Sequence, residues 1–161
     1  MSRGKISIMV VAVALTTAVP FIVDREDEKL QSYQDAVGIW TVCSGETLGV
    51  KKGDRLTKEQ CRMLTQSRIG QFMLEVTEQI KVDMPPNTLA AHTSFAYNVG
   101  IQGYKTSKAL KLTNAGDLKG GCQAMANWYT AGGRDCRIKS NNCYGVVNRR
   151  NEEIKLCLSG L

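Results

Sequence analysis

A chain of 161 residues with 43% apolar content suits one domain of ordinary size with a short appendage, not a string of domains. The net charge of +6 and a pI near 9.1 favour an anionic partner such as nucleic acid, a lipid surface or an acidic wall polymer, without choosing among them and without excluding a basic protein that has none. Aromatic residues make up only 6%, which counts against single-stranded nucleic acid held by base stacking, so no nucleic-acid partner is expected.

The first element lies in "MSRGKISIMVVAVALTTAVPFIVDRE", where Arg3 and Lys5 precede an uncharged stretch from Ile6 to Val23. As a helix this stretch reaches roughly 27 Å, just short of a hydrocarbon core of about 30 Å. Its apolar side chains favour insertion by about 3 to 6 kcal/mol, while Ser7, Thr16, Thr17, Pro20 and the alanines dilute that gain. Two readings stay open. One is a weak membrane span with a cytoplasmic N-terminus and an exported remainder. The other is a cleaved signal peptide, with small residues at Ala12 and Ala14, or at Thr16 and Ala18, as cleavage sites.

Residues 38 to 54, "GIWTVCSGETLGVKKGD", mix β-branched and aromatic residues with Gly and Asp and predict a small hairpin or meander. Helices follow. Thr57 with Gln60 forms a capping-box pattern, and Ile69, Phe72, Met73, Val76 and Ile80 share one helical face, a core stripe rather than a ligand site. Pro85 and Pro86 break that helix, and a second runs from about Thr88 to Asn98, stopped by Gly100. Shorter helices are expected from about Thr106 to Leu112 and, capped by Asp117, from Leu118 to Tyr129. After the loop "TAGGRDCRIKSNNC" a last helix runs from about Tyr144 to Leu158. No internal linker splits the chain, which divides into residues 1–23 and a single domain over 24–161.

All six cysteines, Cys43, Cys61, Cys122, Cys136, Cys143 and Cys157, follow the N-terminal segment, as three disulfides formed in an oxidising compartment require. Sequence alone does not select among the possible pairings. Loop length favours Cys136 with Cys143, helix adjacency favours Cys122 with Cys157, and Cys43 with Cys61 is what remains. His92 is the one histidine and no C-x-x-C pair occurs, so neither a zinc site nor any cofactor is expected.

The acids Asp24, Glu26, Asp27, Glu28 and Asp35 crowd the stretch before the β region. Most such clusters are solvated faces. Glycoside hydrolysis, however, needs one carboxyl to protonate the leaving oxygen and a second group to guide water, with about 6.5 to 9.5 Å between carboxyls for inversion. Glu26, followed by Asp35 and Thr41 of "YQDAVGIWTVCSGET", gives the Glu, Asp, Thr spacing that resembles that of bacteriophage-type lysozymes, the muramidases of glycoside hydrolase family 24. "SFAYNVG", "LTNAGD", "WYTAGG" and "GVVNRRNEEIKLC" resemble later landmarks of that family, so the resemblance covers residues 25 to 161. Asp27, where the family usually has Gly, and Cys43, where a Gly often follows the Thr strand, depart from the pattern.

The resemblance implies a mainly helical α+β protein, a two-lobed phage-lysozyme fold with a small β region and a helical lobe behind an N-terminal signal-anchor segment. It implies an endolysin that cleaves the β-1,4 bond between N-acetylmuramic acid and N-acetylglucosamine of peptidoglycan by inversion, acting as a monomer in host lysis. Glu26 is then the general acid, with Asp35 and Thr41 holding the water. A carboxyl serving as acid near neutral pH needs a partly buried setting, and Thr41 is a stiff residue suited to fixing a water. Glu46 either lines the cleft or faces solvent. Within the family, an uncleaved and weakly apolar N-terminal span resembles that of signal-anchor-release endolysins, held at the inner membrane through residues 6–23 with the catalytic domain in the periplasm and later released there. The competing classes are a peptidoglycan peptidase or amidase using Cys43 and His92, and a non-catalytic wall-binding protein supported by charge alone. Arg149 and Arg150 are expected to pair with Glu152 and Glu153 on the last helix, each pair worth little.

Overall fold

The structure, a computed structural model, describes residues 6–26, 28–35 and 38–161; Arg3, Lys5 and Asp27 lie outside the described residues. The first helix, α1 (Ile8–Val23), starts where the Ser7 hydroxyl accepts the backbone N–H of Val10. Ala14, Ala18 and Ile22 recur at helical spacing and are completely or almost completely buried. The small side chains of Ala14 and Ala18 bring α1 close to the helices behind it and Ile22 fills the space beyond them, so the apolar N-terminal stretch is built here into the helical core. The opposite face, with Ile8, Met9, Ala12, Val13, Thr16 and Pro20, meets solvent. With α1 at 16 residues, no helix among the described residues is long and apolar enough to cross a membrane.

The β lobe begins earlier than the sequence suggests. Strand β1 (Lys29–Gln34) pairs antiparallel with β2 (Trp40–Cys43), placing Tyr33 opposite Thr41 and Gln34 opposite Trp40. "KLQSYQ" is polar and only half-buried, so its apolar alternation is too weak to read as a strand without the partner that pairs with it. Single bridges from Gln31 to Arg55 and from Val42 to Glu46 extend the lobe. Its core is Val42, Cys43 and Cys61, flanked by Leu30, Val50 and Leu56.

The capping box at Thr57 and Gln60 starts α2 (Lys58–Gln79), with Gln60 N–H donating to Thr57 Oγ1 at 3.2 Å and Thr57 N–H to Gln60 Oε1 at 2.8 Å. Such a cap stabilises by about 1 kcal/mol. Ile69, Met73 and Val76 of its stripe are fully buried. Helix α3 (Pro86–Thr106) is longer than expected because Gly100, at φ 79° and ψ 153°, kinks the chain and helix resumes beyond it. Ser107 then caps α4 (Lys108–Asn114) and Asp117 caps α5 (Leu118–Ala124), which tightens into a 3₁₀ turn over Met125–Asn127. The following loop holds a two-residue hairpin, β3 (Thr130–Ala131) with β4 (Arg134–Asp135), turned at Gly132 and Gly133, whose φ angles are both positive. Helix α6 (Gly145–Leu158) closes the chain and packs on α3. Disulfides join Cys43 to Cys61, Cys122 to Cys157 and Cys136 to Cys143.

His92, fully buried on α3, has its Nδ1 3.0 Å from the Tyr104 hydroxyl and its Nε2 3.4 Å from Thr113 Oγ1. Burial lowers its pKa from 6.5 to about 4. Between those values the unfolded chain binds a proton that the folded one refuses. Stability contributed by the neutral ring is therefore full above pH 6.5 and lost as pH falls towards 4, by about 3 kcal/mol. Urea melts at the two ends of this window should show wild type losing that much more stability on acidification than His92→Gln. Equal losses would place the acid sensitivity elsewhere.

Candidate active site

Glu26 sits in the turn that ends α1, where its N–H donates to the Val23 carbonyl at 3.2 Å. Arg25 clamps this turn. Its Nε and Nη2 donate to Glu152 Oε2 on α6 at 2.9 and 2.5 Å, its Nη1 donates to the Phe21 carbonyl, and its guanidinium lies 3.7 Å from the centre of the Phe21 ring. The end of α1 and the face of α6 are thereby held together.

The Glu26 carboxylate is 21% exposed and its Oε1 accepts a hydrogen bond from Arg149 Nη2 on α6. It opens on a pocket of about 180 Å³ lined by Ser44, Gly45, Arg68, Tyr97 and Asn98. Arg68 donates to the Gly45 carbonyl at 3.0 Å and lies 3.6 Å from Glu46 Oε2, tying α2 to the loop after β2. Glu46 thus touches the pocket through Arg68. Tyr97 packs against Phe72 at a tilt with ring centres 5.2 Å apart, and burial, reinforced by the Glu26 charge, raises its hydroxyl pKa.

Asp35 and Thr41 are brought together on the hairpin by Ile39. Asp35 Oδ1 accepts the Ile39 N–H at 2.8 Å, Asp35 N–H donates to the Ile39 carbonyl at 3.0 Å, and Thr41 Oγ1 donates to that same carbonyl at 3.0 Å. Thr41 is 3% exposed, so its χ1 is set by packing as well as by β-branching. Neither residue lines the small pocket beside Glu26, which opens instead at the far end of β2, by Ser44 and Gly45.

The expected ion pairs on α6 need correction. Arg150 does pair with Glu153, but both are fully buried, and the Ser94 hydroxyl donates to Glu153 Oε1 at 2.7 Å. Burial raises the Glu153 pKa and lowers that of Arg150, and each charge draws the other back; removing one partner from such a pair costs about 3 to 5 kcal/mol, well above a surface pair. Arg149 points instead to Glu26, and Glu152 to Arg25. Successive residues of a helix face directions about 100° apart, so neighbouring arginines serve different surfaces. The pairing of Cys43 with His92 required of a cysteine peptidase or amidase is not built. Cys43 is bonded to Cys61, and both ring nitrogens of His92 are engaged within α3 and α4. Sequence reasoning did not single out Arg68, Tyr97 or Asn98, although "SFAYNVG" contains two of them.

Glu26 thus ends α1 beside a small polar pocket, while Asp35 and Thr41 are braced together on the hairpin that follows it in the chain. The profile of the family described as phage lysozyme matches residues 24–153. A SAR-endolysin of Pseudomonas phage phiKMV is 41% identical over 145 residues, spanning 90% of this chain and 88% of its own. One of Escherichia phage 933W is 38% identical over 146 residues, spanning 88% and 82%. The solved endolysin of Escherichia coli O157:H7 phage FAHEc1 is 31% identical, covers 89% of this chain and 92% of its own, and superposes with a TM-score of 0.73. The chain belongs to the phage lysozyme family.

Proposed function

We infer that this lysozyme is a phage endolysin that hydrolyses the β-1,4 bond between N-acetylmuramic acid and N-acetylglucosamine, lysing the host. The observation that carries the reading is the Glu26 carboxyl, gripped by Arg149 at the edge of the pocket, in a chain of this family. Glu26 donates a proton to the leaving glycosidic oxygen. Asp35 and Thr41, braced through Ile39, hold the water that attacks the anomeric carbon from the other face, and the water's proton passes to Asp35. The bond to the leaving oxygen breaks as the new C–O bond forms, so the product is a reducing sugar of inverted configuration. Digestion of peptidoglycan in ¹⁸O-labelled water should place the label at the new reducing ends, with the α anomer appearing first by NMR. Anhydro ends as the main product would remove Asp35 and Thr41 from these roles.

Residues 6–23 serve first as a membrane anchor and afterwards, over Ile8–Val23, as α1, with residues 24–161 as the catalytic domain. In the anchored state the N-terminus is cytoplasmic and the catalytic domain periplasmic, and release frees the enzyme as a monomer. Support comes from the uncharged stretch, from the relatives named SAR-endolysins, and from the packing of Ala14 and Ala18 in the core. Cleavage behind either alanine would remove part of that core seam, which favours a retained segment over a signal peptide.

A further inference from the structure

Asn98 stands two residues before the break at Gly100. It lines both the Glu26 pocket and the adjoining hollow of about 310 Å³ bounded by Arg25, Arg149 and Glu152. Its amide is fixed from behind, because Arg150 Nη2 donates to Asn98 Oδ1. A guanidinium carries only donors, so the oxygen of this amide, and never its nitrogen, must face Arg150. Arg150 itself has no freedom. It is fully buried, paired with Glu153, and 4.9 Å from the centre of the Phe95 ring.

The two branches of an amide diverge, so an oxygen directed inward turns Nδ2 outward. Asn98 is exposed to the cleft, and among the described residues Nδ2 has no protein acceptor. A surface asparagine ordinarily rotates freely in water. This one presents two donors in a fixed direction beside the proposed acid, and a buried charge pair maintains that direction.

Resting on the glycan-hydrolase reading above, we propose that Asn98 is a substrate-binding residue whose Nδ2 donates to the acetamido carbonyl of the sugar seated beside Glu26, making the enzyme selective for N-acetylated glycan. The acetamido oxygen is the strong neutral acceptor on such a sugar. Removing the acetyl group leaves an ammonium, which offers only donors and strands Nδ2 without a partner.

The test compares kcat/KM on peptidoglycan before and after enzymatic de-N-acetylation. Wild type prefers the N-acetylated polymer, and Asn98→Asp and Asn98→Ala each reduce that preference about tenfold. The aspartate variant keeps an oxygen for Arg150, so its melting temperature does not fall. The alanine variant adds no charge near Glu26, so a change shared by both is not an effect on the acid. A folded variant with the wild-type preference, or an equal loss on both polymers, overturns the assignment. Wild type alone supplies a second readout: the Asn98 side-chain NH₂ resonances should shift with tri-N-acetylchitotriose and not with chitotriose, and an unmoved signal would also overturn it. Failure of the underlying reading looks different, since wild type would then release reducing ends from neither polymer.

Discussion

Glu26→Gln is expected to fold and melt like wild type while its muramidase rate falls about a thousandfold, the scale of a lost general acid. The amide has the size of the carboxyl and retains an oxygen for Arg149, so the turn after α1 and its tie to α6 persist. What disappears is a proton that can be given to the leaving oxygen. Asp27→Asn, one residue along, should be much milder. Clearing of chloroform-treated Gram-negative cells by the Glu26→Gln variant at the wild-type rate would show that the proton comes from elsewhere.

A second large effect is expected from replacing Thr16 and Thr17 with Leu. In the folded body Thr16 is exposed and Thr17 half-buried, and neither belongs to the Ala14, Ala18, Ile22 seam, so the folded enzyme tolerates the change. In a bilayer the same change adds apolar contacts to a span whose length and composition leave little excess of insertion energy. The variant should stay in the membrane fraction when the potential is collapsed and should not lyse its host, yet digest purified peptidoglycan once extracted. Glu26 lies three residues beyond Val23, so a helix held in lipid also keeps the proposed acid at the membrane surface, away from the hairpin that carries Asp35 and Thr41. Undiminished release and lysis would refute the anchor, as would a wild-type protein found trimmed behind Ala14 or Ala18.

The helical lobe was legible where short-range chemistry decides structure. Thr57 with Gln60, the prolines at 85 and 86 and Asp117 each act within a few residues, and the helices they bound appear close to where they are expected. Strand β1 was not legible, because "KLQSYQ" becomes a strand only through Thr41 and Trp40 across from it. At the proposed site, Asp35 and Thr41 meet through Ile39, a contact between near neighbours in the chain. Arg149 could not, since its partner lies 123 residues away and the nearby glutamates suggested a different pairing. Asn98 was hidden for a similar reason: its orientation depends on a buried guanidinium 52 positions further along.

The two sides of the cleft differ in mechanical depth. Helices α1, α2, α3 and α6 share one continuous apolar interior, whereas the hairpin side rests on Val42, Cys43 and Cys61 with a few partly covered neighbours. A skin that thin has little packing to resist displacement, and the bond from Cys43 to Cys61 fastens it to the start of α2. The cleft is therefore built unequally: the side holding Glu26 is anchored in the deep helical interior, and the side holding Thr41 depends on its covalent tether to α2.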